Sequence, residues 1–103
     1  MPDNLKLKFT SKAKADMTGI LDYISDNLYA PAAATKLIDK IEKSCQILTS
    51  SPLAGSIPRD DTLARKGYRM LVVDNYLVFY TVDDSVVRIM HVVYGRRNFN
   101  WLF

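Results

Sequence analysis

Cationic and aromatic side chains are concentrated in the C-terminal half of the sequence. They are Lys66, Tyr68, Arg69, Tyr76, Tyr80, His91, Tyr94, Arg96, Arg97, Phe99 and Trp101. Cations that neutralise phosphate and rings that stack on bases are the components of an RNA-binding site. The same composition also suits half-buried strand tyrosines and arginines that solubilise a sheet edge. On composition alone, both interpretations remain open.

Arginine is segregated from lysine along the chain. The net charge is +3, every arginine lies after residue 58, and no acidic residue follows Asp84. The planar arginine fork suits phosphate, carboxylate and stacked bases better than the point charge of lysine does. The C-terminal half therefore favours an anionic partner, and the alternative is a solvated basic rim.

The sequence lacks the motifs of several common functional classes. Metal sites need several Cys, His, Asp or Glu at ligand spacings, and the chain has one histidine, His91, and one cysteine, Cys45. No P-loop, dinucleotide-binding or nucleophile-elbow motif is present. We therefore expect no metal and no cofactor. His91 is interpreted as a strand residue, with a role as an acid–base group as the alternative.

The predicted cellular compartment is the cytoplasm. No apolar run approaches the roughly 18–20 residues that span a bilayer, and the N-terminus lacks a charged leader followed by an apolar region. Cys45 cannot form an internal disulfide and falls on the apolar stripe of a predicted helix, which fits a reducing compartment. We interpret it as a buried core thiol rather than a nucleophile.

A length of 103 residues predicts a single domain, residues 1–103. Alternation of Leu5, Leu7 and Phe9 with lysines predicts a first strand, after which Thr10 or Ser11 can cap a helix. Apolar residues at helical spacing then predict two helices joined by a short turn, with Pro31 in the first turn of the second helix. Their stripes are Ala13, Met17, Ile20, Leu21, Ile24 and Leu28, and Ala34, Leu37, Ile38, Ile41, Cys45 and Leu48.

The rest of the chain predicts an irregular connection and three strands. Ser, Pro, Gly and Asp crowd residues 49–61, which indicates turns. The β-rich runs 68–73, 76–82 and 86–94 follow, separated by short turns at residues 74–75 and 83–84. We therefore predict an α+β fold with an N-terminal strand, a two-helix hairpin and a three-stranded antiparallel meander, forming one sheet.

The later strands are apolar on both faces, although helices on one side require only one apolar face. The second apolar face must be covered, and the candidates are the aromatic tail, with Phe99, Trp101 and Phe103, or another protein.

Several sequence segments together resemble the RelE/ParE superfamily of type II toxin–antitoxin toxins, also described as plasmid-stabilisation proteins. They are residues 9–16 with Ile20 and residues 23–24 after them, Ser51-Pro52-Leu53-Ala54-Gly55, Gly67-Tyr68-Arg69, Tyr76-Leu77-Val78-Phe79-Tyr80, and residues 87–97. The resemblance covers nearly the whole chain in order and spacing. It implies the fold predicted above and a growth-inhibiting toxin.

The resemblance also implies partners. A cognate antitoxin would wrap the toxin and cover the surplus apolar face, and operator DNA would be bound only through that antitoxin. The residues expected to contact the antitoxin are Leu77, Phe79, Ile89, Val93, Phe99 and Trp101. Those expected to contact the cellular target are Lys66, Arg69, Tyr76, Tyr80, Tyr94, Arg96 and Arg97.

Two activities occur in the superfamily, and the resemblance is closer to the ParE type, which poisons DNA gyrase without cutting RNA. The alternatives are a RelE-like, ribosome-dependent mRNA endonuclease or an inactive relative retained for antitoxin binding. A RelE-like enzyme would use Arg69, Arg97 and His91 as its catalytic groups. This sequence departs from the RelE pattern at Leu77, where an arginine is usual, and at Phe103, where a tyrosine is usual.

Overall fold

The computed structural model describes residues 4–95 of the chain. Its strands and helices follow one another as β1 (Lys6–Phe9), α1 (Ser11–Asp22), α2 (Pro31–Ile47), α3 (Asp61–Arg65), β2 (Arg69–Val73), β3 (Tyr76–Val82) and β4 (Val86–Tyr94). A π-helical segment, Tyr23–Asn27, extends α1. The predicted α+β class and the order of a strand, a helical hairpin and a meander are confirmed.

The sheet has four strands in the order β1-β4-β3-β2. The strands β2, β3 and β4 pair antiparallel, as predicted. However, β1 pairs parallel to β4, with Lys6 opposite Val86 and Phe9 opposite Ile89, so the sheet is mixed. The sequence did not indicate this pairing, because the two strands lie at opposite ends of the chain, with the helices, β2 and β3 between them.

Local capping fixes the helix starts. The Thr10 hydroxyl accepts a hydrogen bond from the Ala13 N–H at 3.1 Å, which confirms the predicted cap of α1. The same hydroxyl donates to the Ile89 carbonyl at 3.0 Å and so ties the helix start to β4. Pro31 occupies the first turn of α2, where its missing N–H costs no hydrogen bond.

The first helix ends earlier than its apolar stripe predicted. Regular α-helix stops at Asp22, and the Leu28 N–H then donates to the Tyr23 carbonyl at 3.2 Å, a spacing of five residues. Tyr29 has a φ of 52°, a left-handed conformation that turns the chain toward α2. Leu28, expected in the apolar stripe, is therefore exposed at the tip of the hairpin.

The main core lies between the helices and one face of the sheet. It joins Ile41, Cys45 and Leu48 of the second helical segment to strand residues such as Val78 and Tyr80, all with no exposed surface. Burial raises the pKa of the Cys45 thiol to about 12. The prediction of a buried core thiol is confirmed.

The opposite face of the sheet, called here the outer face, carries a second apolar cluster. Leu63, Phe79 and Val93 are buried in it, and Tyr68 and Leu77 pack against them. Leu63 belongs to α3, which follows the irregular segment and which the sequence analysis did not predict. Asp60 caps this helix by accepting from the Leu63 N–H at 3.0 Å. The chain thus covers part of its own second apolar face.

Candidate functional site

The residues predicted to bind the target do not form one surface. Lys66 lies at the end of α3, Tyr80 and Arg69 support a loop, and Tyr76 and Tyr94 form a pair on the helix side of the sheet. Arg96 and Arg97 lie outside the described residues, as do Phe99, Trp101 and Phe103.

Tyr68 and His91 lie beside each other on the outer face. The rings of Tyr68 and His91 lie with their centroids 6.4 Å apart, and Lys66 is exposed at the end of α3. Burial lowers the pKa of His91, against a smaller opposing effect of the Asp16 carboxylate. Because the ordinary pKa of histidine is about 6.5, the ring is neutral at pH 7. This part of the outer face therefore offers a phenol beside a neutral imidazole, and Lys66 precedes Tyr68 by two residues in the sequence.

Strand β1 adds basic residues, Lys6 and Lys8, to the outer face. Lys8 lies opposite Arg88 in the parallel pair, and both side chains belong to the outer face. Arg88 forms an ion pair with Asp83, which leaves the lysines of β1 as the exposed cations of this edge. The Ser85 N–H, the Arg88 guanidinium and the Val86 N–H, all donating to Asp83, lower the pKa of its carboxyl.

Tyr80 and Arg69 support the loop that connects α2 to α3. The Tyr80 hydroxyl donates to the Pro52 carbonyl at 2.8 Å and accepts from the Gly55 N–H at 3.0 Å. The Arg69 guanidinium donates to the carbonyls of Leu53 at 3.1 Å and Gly55 at 2.7 Å. Tyr80 has no exposed surface. In this structure the predicted target-binding Tyr80 and the predicted catalytic Arg69 serve the chain's own packing.

Two of the predicted antitoxin contacts are also buried by the chain itself. Ile89 lies in the main core, and Phe79 lies in the apolar cluster of the outer face with Leu63 and Val93; neither Ile89 nor Phe79 has exposed surface. Val93 retains little exposure, and Leu77 is half-buried. The sequence showed that these strands have two apolar faces. It did not show the short helix α3, which covers part of the outer face.

Tyr76 and Tyr94 lie on the helix side of the sheet, at the end where β3 starts and β4 finishes. Their rings meet edge to face, with centroids 5.6 Å apart. Partial burial raises the pKa of Tyr76, and the neighbouring Tyr94 and Tyr23 add to the effect. A favourable ring pair of this geometry contributes about 0.5–1.5 kcal/mol beyond its buried area.

The tyrosine pair borders a groove of about 1010 Å³ between the helices and the end of the sheet. Its other walls come from α1, the π-helical segment and the start of α2, with Asp16, Gly19, Tyr23 and Ala33 among them. The sequence analysis assigned no site to these residues. The sequence feature that could have indicated a groove here is Gly19, a glycine within a helical pattern.

Residues 4–95 contain neither an evident metal site nor a helix suited to a bilayer. No group of three or more His, Cys, Asp or Glu side chains there is arranged to hold a metal ion. None of the described helices has the length and apolar character that a bilayer crossing requires.

Comparison with known proteins gives one family. A family model described as the ParE toxin of the type II toxin–antitoxin system parDE matches residues 7–99. No curated protein sequence matches the chain significantly.

Several solved structures have a similar fold. A chain of the chromosomal ParDE toxin–antitoxin system from P. aeruginosa matches with a TM-score of 0.74 and 23% identity, over 89% of this chain and 97% of that one. A chain of the toxin–antitoxin complex RelBE2 from Mycobacterium tuberculosis matches with a TM-score of 0.63 and 22% identity, over 91% and 94%. A chain of the E. coli DinJ–YafQ toxin–antitoxin complex matches with 0.58 and 13%, over 88% and 92%. At these identities the likeness shows a shared fold.

Proposed function

This chain belongs to the ParE toxin family of type II toxin–antitoxin systems, and we propose that it inhibits growth by poisoning DNA gyrase. It is a toxin of the RelE/ParE superfamily. The family match, which spans residues 7–99, is the observation that carries the proposal. A target such as gyrase places the action in the cytoplasm.

The outer face also favours this activity over RNA cleavage. Cleavage through the 2′-hydroxyl needs a base, a cation over the phosphate and an acid for the leaving oxygen. At the position where an arginine would be expected, Leu77 packs into the apolar cluster with Phe79 and Val93. Arg69 is held by the carbonyls of Leu53 and Gly55 rather than directed at a substrate.

A second candidate function is a RelE-like, ribosome-dependent mRNA endonuclease. The observation that favours it is the contact of the Tyr68 and His91 rings on the outer face, since a neutral imidazole beside a phenol could move a proton. Lys66, two residues before Tyr68, would contact phosphate. In that case Arg97 would supply a second cation. An inactive relative retained for antitoxin binding is the remaining alternative.

We further propose a cognate antitoxin as the protein partner. The relatives of similar fold include chains of toxin–antitoxin complexes. Among the residues that the structure describes, the proposed contacts that keep some exposed surface are Leu77 on the outer face and, to a small extent, Val93. Phe99 and Trp101, which lie outside the described residues, stay part of the proposal. For the target we propose Lys66, Tyr76, Tyr94, Arg96 and Arg97.

Two experiments test these proposals. Expression of the chain alone should stop growth, and co-expression with the protein encoded beside it should restore growth and yield a stable complex. Unimpaired growth at high soluble expression would contradict the proposal that the chain is an active toxin. In a purified translation system the chain should leave ribosome-bound mRNA intact, whereas cuts at codon positions in the A site would establish the endonuclease instead.

A further inference from the structure

Strand β1 forms one border of the sheet and pairs with β4 on one side only. The Lys6 N–H donates to the Ser85 carbonyl at 2.8 Å, and the Thr10 N–H donates to the Ile89 carbonyl at 3.1 Å. Because backbone groups alternate along a strand, the odd-numbered residues of β1 direct their N–H and C=O groups away from β4. This side of β1 is called here the free edge.

Within residues 4–95, the free edge is occupied only next to the start of β1. There the Leu5 N–H donates to the Thr49 carbonyl at 2.8 Å, which agrees with the alternation. Further along, residues 4–95 supply no hydrogen-bond partner for the N–H of Leu7 or of Phe9. Beyond the position of Thr49, the edge therefore offers backbone partners to a short extended segment of about four residues.

A depression lies beside the same edge, on the helix side of the sheet. It has a volume of about 320 Å³ and is lined by Phe9, Lys14, Met17, Thr18 and Glu42. The side chains of Leu7 and Phe9 face the helix side, since they pack against the main core. In an added strand, the residue opposite Phe9 points to the same side and so lies at the depression. Phe9 and Met17 favour an apolar side chain there.

The outer-face side of the edge carries positive charge. Lys6 and Lys8 alternate with the apolar residues of β1 and are exposed. None of the ion pairs within residues 4–95 involves either lysine. An added strand with acidic side chains opposite Lys6 and Lys8 would gain two cross-strand charge pairs.

The same charge disfavours a second copy of the chain on this edge. If two β1 strands paired antiparallel about Leu7, Lys6 of each chain would oppose the partner's Lys8. Like charges directly opposite each other are destabilising, and lysines on an edge strand commonly prevent pairing between copies. Such protection does not require the depression beside Phe9.

We propose that the free edge of β1 binds an extended, acidic segment of a protein partner as an added antiparallel strand. From its N-terminus, the segment has the pattern apolar–acidic–apolar–acidic. Its first apolar residue lies at the depression beside Phe9, and its second exchanges two hydrogen bonds with the Leu7 backbone. Its acidic residues oppose Lys8 and Lys6. This binding does not depend on the cellular target proposed above.

A synthetic peptide tests the proposal on the purified full-length chain. The probe is Thr-Leu-Glu-Val-Glu-Thr with a fluorophore, and the matched control is Thr-Leu-Lys-Val-Lys-Thr, which keeps the strand pattern and reverses the charge. By fluorescence anisotropy the acidic peptide should bind about tenfold more tightly, because both cross-strand charge pairs are attractive only with glutamate. Added salt should weaken its binding. No binding of the acidic peptide, or equal binding of both peptides, would overturn the proposal.

A substitution on β1 separates this site from the general effect of a positively charged protein. In Lys8→Glu each peptide meets one attractive and one repulsive pair, so the preference for the acidic peptide should disappear. Lys36→Glu makes the same charge change at an exposed residue of α2 outside the depression and should keep the preference. Circular dichroism checks the fold, and Lys8→Gln, which should reduce the preference, replaces Lys8→Glu if that variant unfolds. Equal loss of preference in the β1 and α2 variants would contradict the proposal.

Amide hydrogen exchange locates the bound peptide. The N–H groups of Leu7 and Phe9 should exchange more slowly when the acidic peptide is present, whereas the Lys8 N–H, which points toward β4, should change little. Methylating the backbone nitrogen of the peptide's valine should weaken binding, while methylating that of its first glutamate, which points away from β1, should not. Protection elsewhere, with Leu7 and Phe9 unchanged, would overturn the proposal.

The peptide-free chain tests the alternative occupant. Exchange at Leu7 should not depend on protein concentration. If protection of Leu7 rises with concentration alongside a dimer in sedimentation, a second copy occupies the free edge and the proposal is wrong.

Discussion

The Tyr80 hydroxyl lies in direct contact with the Gly55 backbone, although 25 positions separate the two residues in the sequence. The Gly55 N–H donates to the hydroxyl at 3.0 Å, and a Cβ on Gly55 would lie 2.6 Å from the same oxygen and 2.7 Å from the Met70 carbonyl. Glycine is therefore required at residue 55 for close approach. The pair holds the loop that follows α2 against the edge of β2, where Ser56 and Met70 form a two-way backbone bridge.

Removing the Tyr80 hydroxyl should destabilise the fold. In Tyr80→Phe the Gly55 N–H and the Pro52 carbonyl lose a buried partner, which typically costs about 1–3 kcal/mol. The measurement is the free energy of unfolding from urea denaturation. Tyr29→Phe is the control, because Tyr29 is 89% exposed and should change stability very little. Equal stability of both variants would contradict the structural role given to Tyr80.

Asp16 should stabilise the contact between α1 and β4 through its acceptor oxygen. Asp16→Ala leaves the Val92 N–H without its partner and should cost about 1–3 kcal/mol, whereas Asp16→Asn keeps an acceptor and should cost less. Lys12→Ala, which removes only the exposed ion pair with Asp16, should change stability by less than about 1 kcal/mol. If Lys12→Ala and Asp16→Ala are equally destabilising, the ion pair and not the strand contact is responsible.

Much of the fold was predictable because its signals are local. The three strands of the meander carry β-rich runs that begin and end within one residue of the observed β2, β3 and β4. Thr10 and Pro31 marked the helix starts through capping and the first-turn preference for proline. These features depend on residues only a few positions apart.

The parts that were missed depend on long-range packing. The parallel pairing of β1 with β4 joins residues about 80 positions apart, and no local pattern encodes it. The short helix α3 has only one buried apolar residue, Leu63, too few for a periodic stripe. Tyr80 and Arg69 had the composition of a binding site, but their partners in the loop at residues 52–55 became visible only in three dimensions.

The Cys45 thiol should be unreactive in the folded protein. It has no exposed surface, and burial raises its pKa to about 12, so almost no thiolate forms at neutral pH. An aromatic disulfide reagent at pH 8 should modify it only at the rate of unfolding and should react at once in denaturant. Rapid modification under native conditions would show that α2 is not packed as described.

His91 should make stability depend on pH below neutrality. Burial lowers its pKa in the folded state below the ordinary value of about 6.5, so the unfolded chain binds the proton more readily. Its contribution is therefore fully present above about pH 6.5, the ordinary value that applies to the unfolded chain, and is lost as the pH falls from there through the lower pKa of the folded state. The variant His91→Gln should show a flatter stability profile between about pH 7 and 5. An unchanged profile in this variant would assign the dependence to other groups.

The central claim is that this toxin acts on DNA gyrase, and a supercoiling assay with purified gyrase and relaxed plasmid tests it most directly. We expect the purified chain to inhibit supercoiling and to trap gyrase on cleaved DNA. Pre-mixing with the cognate antitoxin should abolish both effects. Normal supercoiling at toxin concentrations far above those that stop growth, with no cleaved DNA, would contradict the claim.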